Sequence, residues 1–285
     1  MSGPARTGLR PLVLVLADGL RDDTARQAMG YLGALHEAGR ARWATLSCEL
    51  PSLSRPLYAT VISGQRPLDH GVISNEQPGL RLGDNLFDTL HAAGATSAVA
   101  AYHWFRELLS GEVFQPVAHR ESTVAARGVV AARWYWEDDY PDSHLLVDAE
   151  TLRRQHQPDL LFIHPMGPDH AGHQHGGDSD RYRLRARVLD MQLAHLIPRW
   201  LAAGFEVVLT SDHGMAADHM HGGTAREERE VPFVWIPAAA REAELHARPL
   251  SDPPPAWPGN QLGVRAFVES RLGLGLGTAA AGRAD

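Results

Sequence analysis

The stretch Leu12-Val13-Leu14-Val15-Leu16-Ala17-Asp18-Gly19 decides how this chain is read. An unbroken apolar run lacks the alternation of a half-solvated strand. It therefore predicts a β-strand covered on both faces, as in a parallel sheet. A carboxylate and a glycine then end it. Arg6 and Arg10 precede the run, but it is too short to span a membrane, lacks a convincing cleavage site and is cut by Asp18-Gly19. The expectation is a buried first strand in a soluble, cytoplasmic protein without a membrane partner.

Outward from that strand, further strand-like runs occupy 42–50, 96–101, 159–164, 205–210 and 231–236. Helix-like runs fall at 22–38, 56–63, 85–93, 123–133, 148–156, 178–203 and 261–272. This alternation predicts an α/β fold, a mostly parallel central sheet with helices on both faces. One domain is expected over 1–285, with a proline-rich linker at 251–258 and a frayed tail at 273–285.

Composition narrows the function classes. With 285 residues, 44% of them hydrophobic, the chain can bury a sizeable core. A formal net charge of -7 gives no broad attraction to a nucleic-acid duplex. All 27 basic residues are arginine, so no lysine exists for Schiff-base chemistry or a phosphate-binding P-loop. The lone Cys48 excludes an internal disulfide, and its apolar surroundings at 44–50 predict a buried, inert thiol. Nothing in the pattern sets an oligomeric state.

The chemistry lies in Asp and His pairs in two distant stretches. One is Pro168-Asp169-His170-Ala171-Gly172-His173; the other is Ser211-Asp212-His213-Gly214-Met215 followed by His221-Gly222-Gly223. Carboxylate and neutral imidazole suit Zn²⁺ or Mn²⁺. Asp18, Ser54, Asp169 and Asp212 each follow a predicted strand, and ligands of open α/β sheets bind at the carboxyl ends of strands. The four motifs are thus expected to converge on one edge.

Each residue also has a plainer explanation. Ser54, two residues before Pro56, could simply cap a helix; the same helix start could present a serine hydroxyl to a phosphoryl group. Among 16 histidines, His164, His170, His175 and His219 show that enrichment alone does not pick ligands. Gly222-Gly223 favours His221 over His219, and Gly172 suggests backbone approaching a ligand at His173. Asp190, inside a predicted helix, reads as a structural polar contact. The aromatic–acidic segment Trp134 to Tyr140 reads as irregular, and is either core with a solvated rim or a wall that stacks a base.

Together these residues resemble the alkaline phosphatase superfamily, in its type I phosphodiesterase/nucleotide pyrophosphatase branch. The resemblance runs from Asp18 to about Pro232. It includes Asp18-Gly19, Pro51-Ser52-Leu53-Ser54-Arg55-Pro56, Ser63-Gly64, Pro67, His70-Gly71 and Asn75, the two Asp/His stretches, and Val231-Pro232. It implies two divalent metal ions, zinc or else manganese. Asp169, His173 and His221 would hold one; Asp18, Asp212 and His213 would hold the other, with Ser54 as further ligand and nucleophile. A small phosphodiester or pyrophosphate would be hydrolysed through a phosphoserine intermediate, with Arg55 and Asn75 binding substrate.

Two departures stand out. Serine replaces the threonine usual in the branch, and Leu57 stands where an asparagine commonly donates to a phosphoryl oxygen. Arg55 or a main-chain N–H is the expected substitute. With three carboxylates and an alkoxide balancing the two ions, the site suits a monoanionic diester; a dianionic monoester would need another cation, which Arg55 could supply. The alternatives are a phosphomonoesterase or phosphonate hydrolase, a non-catalytic metal-binding module of the same fold, and a phosphate-moving mutase.

Overall fold

The computed structural model describes residues 8–238 and 256–274. Residues 251–255 of the expected linker and 275–285 of the expected tail lie outside the described residues. Strands β1 (Leu12–Leu16), β2 (Arg42–Ser47), β3 (Ser97–Tyr102), β4 (Val129–Tyr135), β5 (Leu160–Ile163), β6 (Glu206–Thr210) and β7 (Glu230–Ile236) form one sheet, ordered β2-β7-β6-β1-β5-β3-β4. β1 pairs in parallel with β5 on one side and β6 on the other. β3 and β4 continue the parallel run, whereas β7 is antiparallel to both β6 and β2. The sheet is mostly parallel, with one strand reversed.

β1 lies at the middle of the sheet, and its residues are at most 1% exposed, as its unbroken apolar run requires. Full burial of each Leu or Val side chain there contributes roughly 1.5–3 kcal/mol. The helices pack in two groups. One comprises Asp22–Ala28, Gly30–Glu37, Asp142–His156, Gly167–His175 and Asp180–Ala202. The other comprises Ser54–Ser63, Leu86–Ala92, His103–Ser110 and Val264–Leu272.

Several expectations are corrected. The helix expected over 22–38 is two helices, broken at Met29, whose ψ of 73° is not helical. The Asp190 carboxylate accepts from the amides of Tyr31 (2.7 Å) and Leu32 (3.1 Å) at the start of the second helix, the structural role expected of it. The helix expected over 123–133 is a single 3-10 turn, Ala125–Arg127, leading into β4. Gly128 ends that turn at φ 70°, and the Val129-Val130 pair begins the strand alongside β3. β4 carries Trp134 and Tyr135 into the core, so Trp134 cannot stack on a base; its indole N–H donates to Ser122 O at 2.8 Å. The helix His103–Ser110 had not been anticipated.

Candidate active site

The carboxyl edge of the sheet brings the Asp and His motifs together. Asp18, two residues beyond β1, is fully buried; its amide donates to Pro165 O (2.9 Å), and its carbonyl accepts from the Asp169 amide (3.1 Å). Gly19 makes that approach possible. It sits at φ 63°, and a Cβ there would lie 2.8 Å from the Asp169 backbone. Beyond β6, the Ser211 hydroxyl accepts from the Leu20 amide (2.9 Å) and donates to His213 O (2.7 Å), tying this loop to the one after β1. Asp212 Oδ1 accepts from the Gly19 amide (3.1 Å), and Gln261 donates to Asp212 O (2.6 Å).

Asp169 and His173 lie one turn apart on Gly167–His175 rather than on a loop, so both project from one helical face. Ser54 is the first residue of its helix, only 6% exposed, and makes no capping bond; its Oγ lies 3.0 Å from His213 Nε2. That nitrogen is also 3.1 Å from Asp212 Oδ2 and 3.4 Å from Asp18 Oδ1. On the other side, His173 Nε2 is 3.1 Å from His221 Nε2 and 3.5 Å from Asp169 Oδ2. His221 Nε2 is 3.8 Å from Asp169 Oδ1, and its ring stacks on His213 with centroids 3.7 Å apart.

The histidine tautomers follow from their second nitrogens. Each Nδ1 faces a backbone carbonyl at 2.8 Å: Gly214 O for His213, His219 O for His173, and Ser52 O for His221. An Nδ1–H donating there leaves each Nε2 as a bare lone pair turned into the cluster. Two such lone pairs 3.1 Å apart, on His173 and His221, repel unless a cation lies between them.

The carboxylates show the same need. Asp18 Oδ1, Asp169 Oδ1 and Asp212 Oδ2 are buried with no hydrogen-bond partner. Burial pushes the Asp18 carboxyl up to about 7. It also raises Asp169 and Asp212 well above the usual carboxylate range, with the neighbouring acids adding to the effect. Burial lowers His221 to about 4, and lowers His213 as well. Asp18, Asp212 and His213 form one group with donor atoms within 4.8 Å of each other, and Asp169, His213 and His221 form a second. Unpartnered carboxylate oxygens and bare imidazole nitrogens make a donor set that fits divalent cations of the zinc class.

The type I phosphodiesterase/nucleotide pyrophosphatase family matches residues 12–225, which span β1 and every element of this cluster. The chain belongs to that family. Human GPI ethanolamine phosphate transferase 2 (catalytic subunit) is 24% identical over 241 residues, covering 80% of this chain but only 23% of the relative. The zinc complex of the C-terminal periplasmic domain of Escherichia coli EptC aligns with TM-score 0.65 at 15% identity, over 94% of this chain and 84% of that one. Human ectonucleotide pyrophosphatase/phosphodiesterase 5 aligns with TM-score 0.56 at 18% identity, over 73% and 57%. These likenesses show the alkaline-phosphatase-like fold. The chain spans about a quarter of the length of the curated relatives it matches.

One family-derived expectation is not met. The Arg55 guanidinium does not reach the cluster: it is 2% exposed, ion-paired with Glu107 Oε2 at 2.8 Å and set over the Trp104 ring at 4.6 Å. Its amide donates to Asn75 Oδ1 at 2.9 Å. Asn75 is therefore beside the nucleophile helix, but as a partner of its first turn. Leu57 is fully buried. Gly172 makes room for a side chain, not a ligand, since a Cβ there would lie 2.5 Å from Met215.

The sequence reading missed Tyr58, whose hydroxyl donates to Asp18 Oδ2, and the buried His164, whose Nε2 lies 3.1 Å from the same oxygen. The signal for Tyr58 was its Ser54-x-x-x-Tyr58 spacing, which puts both on one helix face. His219 holds His173 rather than joining the cluster, through its carbonyl and through Nδ1, 3.0 Å from His173 O.

Proposed function

We propose that the chain cleaves phosphodiester or pyrophosphate bonds of a small molecule, with Ser54 as nucleophile. The observation that carries this is the position of Ser54 Oγ, 3.0 Å from His213 Nε2 and buried beside carboxylates that lack partners. Two divalent ions, zinc for preference, held by Asp18, Asp212 and His213 and by Asp169, His173 and His221, would acidify the serine hydroxyl and offset charge on the phosphoryl group. Ser54 Oγ bonds to phosphorus as the ester oxygen leaves with its electron pair. Water then displaces Ser54 from the phosphoserine, restoring the hydroxyl.

The buried Arg55–Glu107 pair supports a diester over a monoester, because Arg55 adds no cation at the phosphoryl group. The named relatives favour a second reading, in which an alcohol takes the place of water and the phosphoryl group is transferred. Both share the phosphoserine step.

The test is kcat/KM for bis-p-nitrophenyl phosphate over p-nitrophenyl phosphate with zinc-loaded protein and Ser54→Ala as control. A ratio well above one, lost in the variant, is expected; a ratio below one overturns the diester assignment. Adding ethanolamine as acceptor separates the two readings: transfer gives phosphoethanolamine esters, hydrolysis only the monoester.

A further inference from the structure

The two oxygens of Asp18 are treated differently. Oδ2 accepts from the Tyr58 hydroxyl and faces His164 Nε2 at 3.1 Å. Oδ1 has no hydrogen-bond partner and lies 3.4 Å from His213 Nε2, on the side of Asp212 and Ser54. One oxygen is anchored and the other is presented.

Tyr58 is well placed to do the anchoring. It is fully buried, its ring stacks on Phe105 at 4.4 Å, and it meets His164 edge-on at 4.7 Å. His164 is held from behind by Tyr135, whose hydroxyl donates to His164 O at 2.7 Å and lies 3.0 Å from Nδ1. These contacts leave the Tyr58 ring little freedom, so its hydroxyl marks a fixed point for Asp18. Tyr58 also lies one turn beyond Ser54 on the same helix, so a single rigid element places both the nucleophile and the carboxylate opposite it.

We propose that Tyr58 is a positioning residue that fixes Asp18 through Oδ2, presents Oδ1 to the Asp212–His213 group, and ties the geometry of that metal group to the nucleophile helix. This rests on the two-ion reading of the cluster. Removing the hydroxyl frees Asp18 to rotate, so the site loses affinity for zinc while the ring packing remains.

The test compares Tyr58→Phe with the wild-type full chain. Zinc dissociation constants are measured by competition with a chromophoric chelator, together with the visible spectrum of the cobalt-substituted protein and the metal-free melting temperature. Tyr135→Phe removes a buried hydroxyl that does not touch Asp18, and so sets the cost of losing any buried phenol. The expected result is zinc affinity about 10- to 100-fold weaker at one site in Tyr58→Phe, an altered cobalt spectrum, and a metal-free melting temperature close to that of Tyr135→Phe. Zinc affinity within about twofold of wild type, with an unchanged cobalt spectrum, overturns the proposal. A metal-free Tyr58→Phe much less stable than Tyr135→Phe also overturns it, because the role is then structural. Wild type that binds no zinc at all refutes the underlying two-ion reading instead, which keeps the two failures apart.

Discussion

Arg55 and Glu107 bury opposite charges one residue from the nucleophile, while the neighbouring cluster buries carboxylates against one another. In the first region Glu107 accepts from Arg55 at 2.8 Å and from the Phe114 amide at 3.0 Å, with His103 Nδ1 at 3.3 Å. Burial alone would raise its carboxyl, yet those partners bring it down to about 2. In the second, Asp18 is pushed up to about 7 and oxygens of all three acids lack partners. A charge buried with its partner supports the fold. Like charges buried together around bare imidazole nitrogens make a site suited to a cation.

The largest expected effect lies where the two regions meet. Ser54→Ala should lower kcat/KM on a diester by at least about 10³-fold while leaving zinc content unchanged. Activity within tenfold of wild type would remove Ser54 from the chemistry.

Breaking the ion-paired region should cost stability rather than metal. Glu107→Ala leaves the Arg55 guanidinium buried and unpaired, a loss of about 3–5 kcal/mol in urea unfolding, with zinc stoichiometry intact. Asp212→Asn should do the reverse, releasing zinc with little loss of metal-free stability. A Glu107→Ala variant that lost zinc but not stability would invert the comparison.

pH sharpens it further. Asp18 has a raised folded-state pKa, so its contribution to metal-free stability is full below about 3.8 and lost as pH rises through about 7. His221 is depressed, so its contribution is full above 6.5 and lost as pH falls through about 4. Above pH 5 His221 is already neutral, whereas Asp18 must still shed its proton to bind zinc. The rise in melting temperature given by zinc should therefore grow steadily from pH 5 to pH 8; a zinc effect independent of pH would contradict the ligand set. Between pH 4.5 and 2 the wild type should lose the advantage that Glu107 gives it over Glu107→Gln, since a depressed carboxylate stabilises only while ionised.

The smallest effect belongs to Cys48, buried in a third way: burial pushes its thiol up to about 12, so it stays neutral. Cys48→Ala should change turnover by less than about twofold, and the native thiol should react with a disulfide reagent only after unfolding.

The strand pattern was legible because fully covered strands write unbroken apolar runs, as at 12–17 and 160–163. β4 was not, since Val129-Val130-Ala131-Ala132 fits a helix as well as a strand, and its place beside β3 settles the matter. The cluster residues could be picked out because Asp and His recur next to glycine just after strands. Arg55 was misjudged because its partner Glu107 lies 52 residues away, on a helix the apolar pattern did not reveal. Tyr58 escaped notice because a buried tyrosine in an apolar helix looks like core until its hydroxyl is seen to meet Asp18.

We propose the unpartnered cluster as a two-cation site to which the Arg55–Glu107 pair does not belong. Zinc content after equilibrium dialysis of the wild type, Asp212→Asn and Glu107→Gln tests this most directly. About two zinc ions per chain are expected in the wild type and in Glu107→Gln, and fewer in Asp212→Asn. No bound zinc in the wild type, or equal loss from both variants, would contradict it.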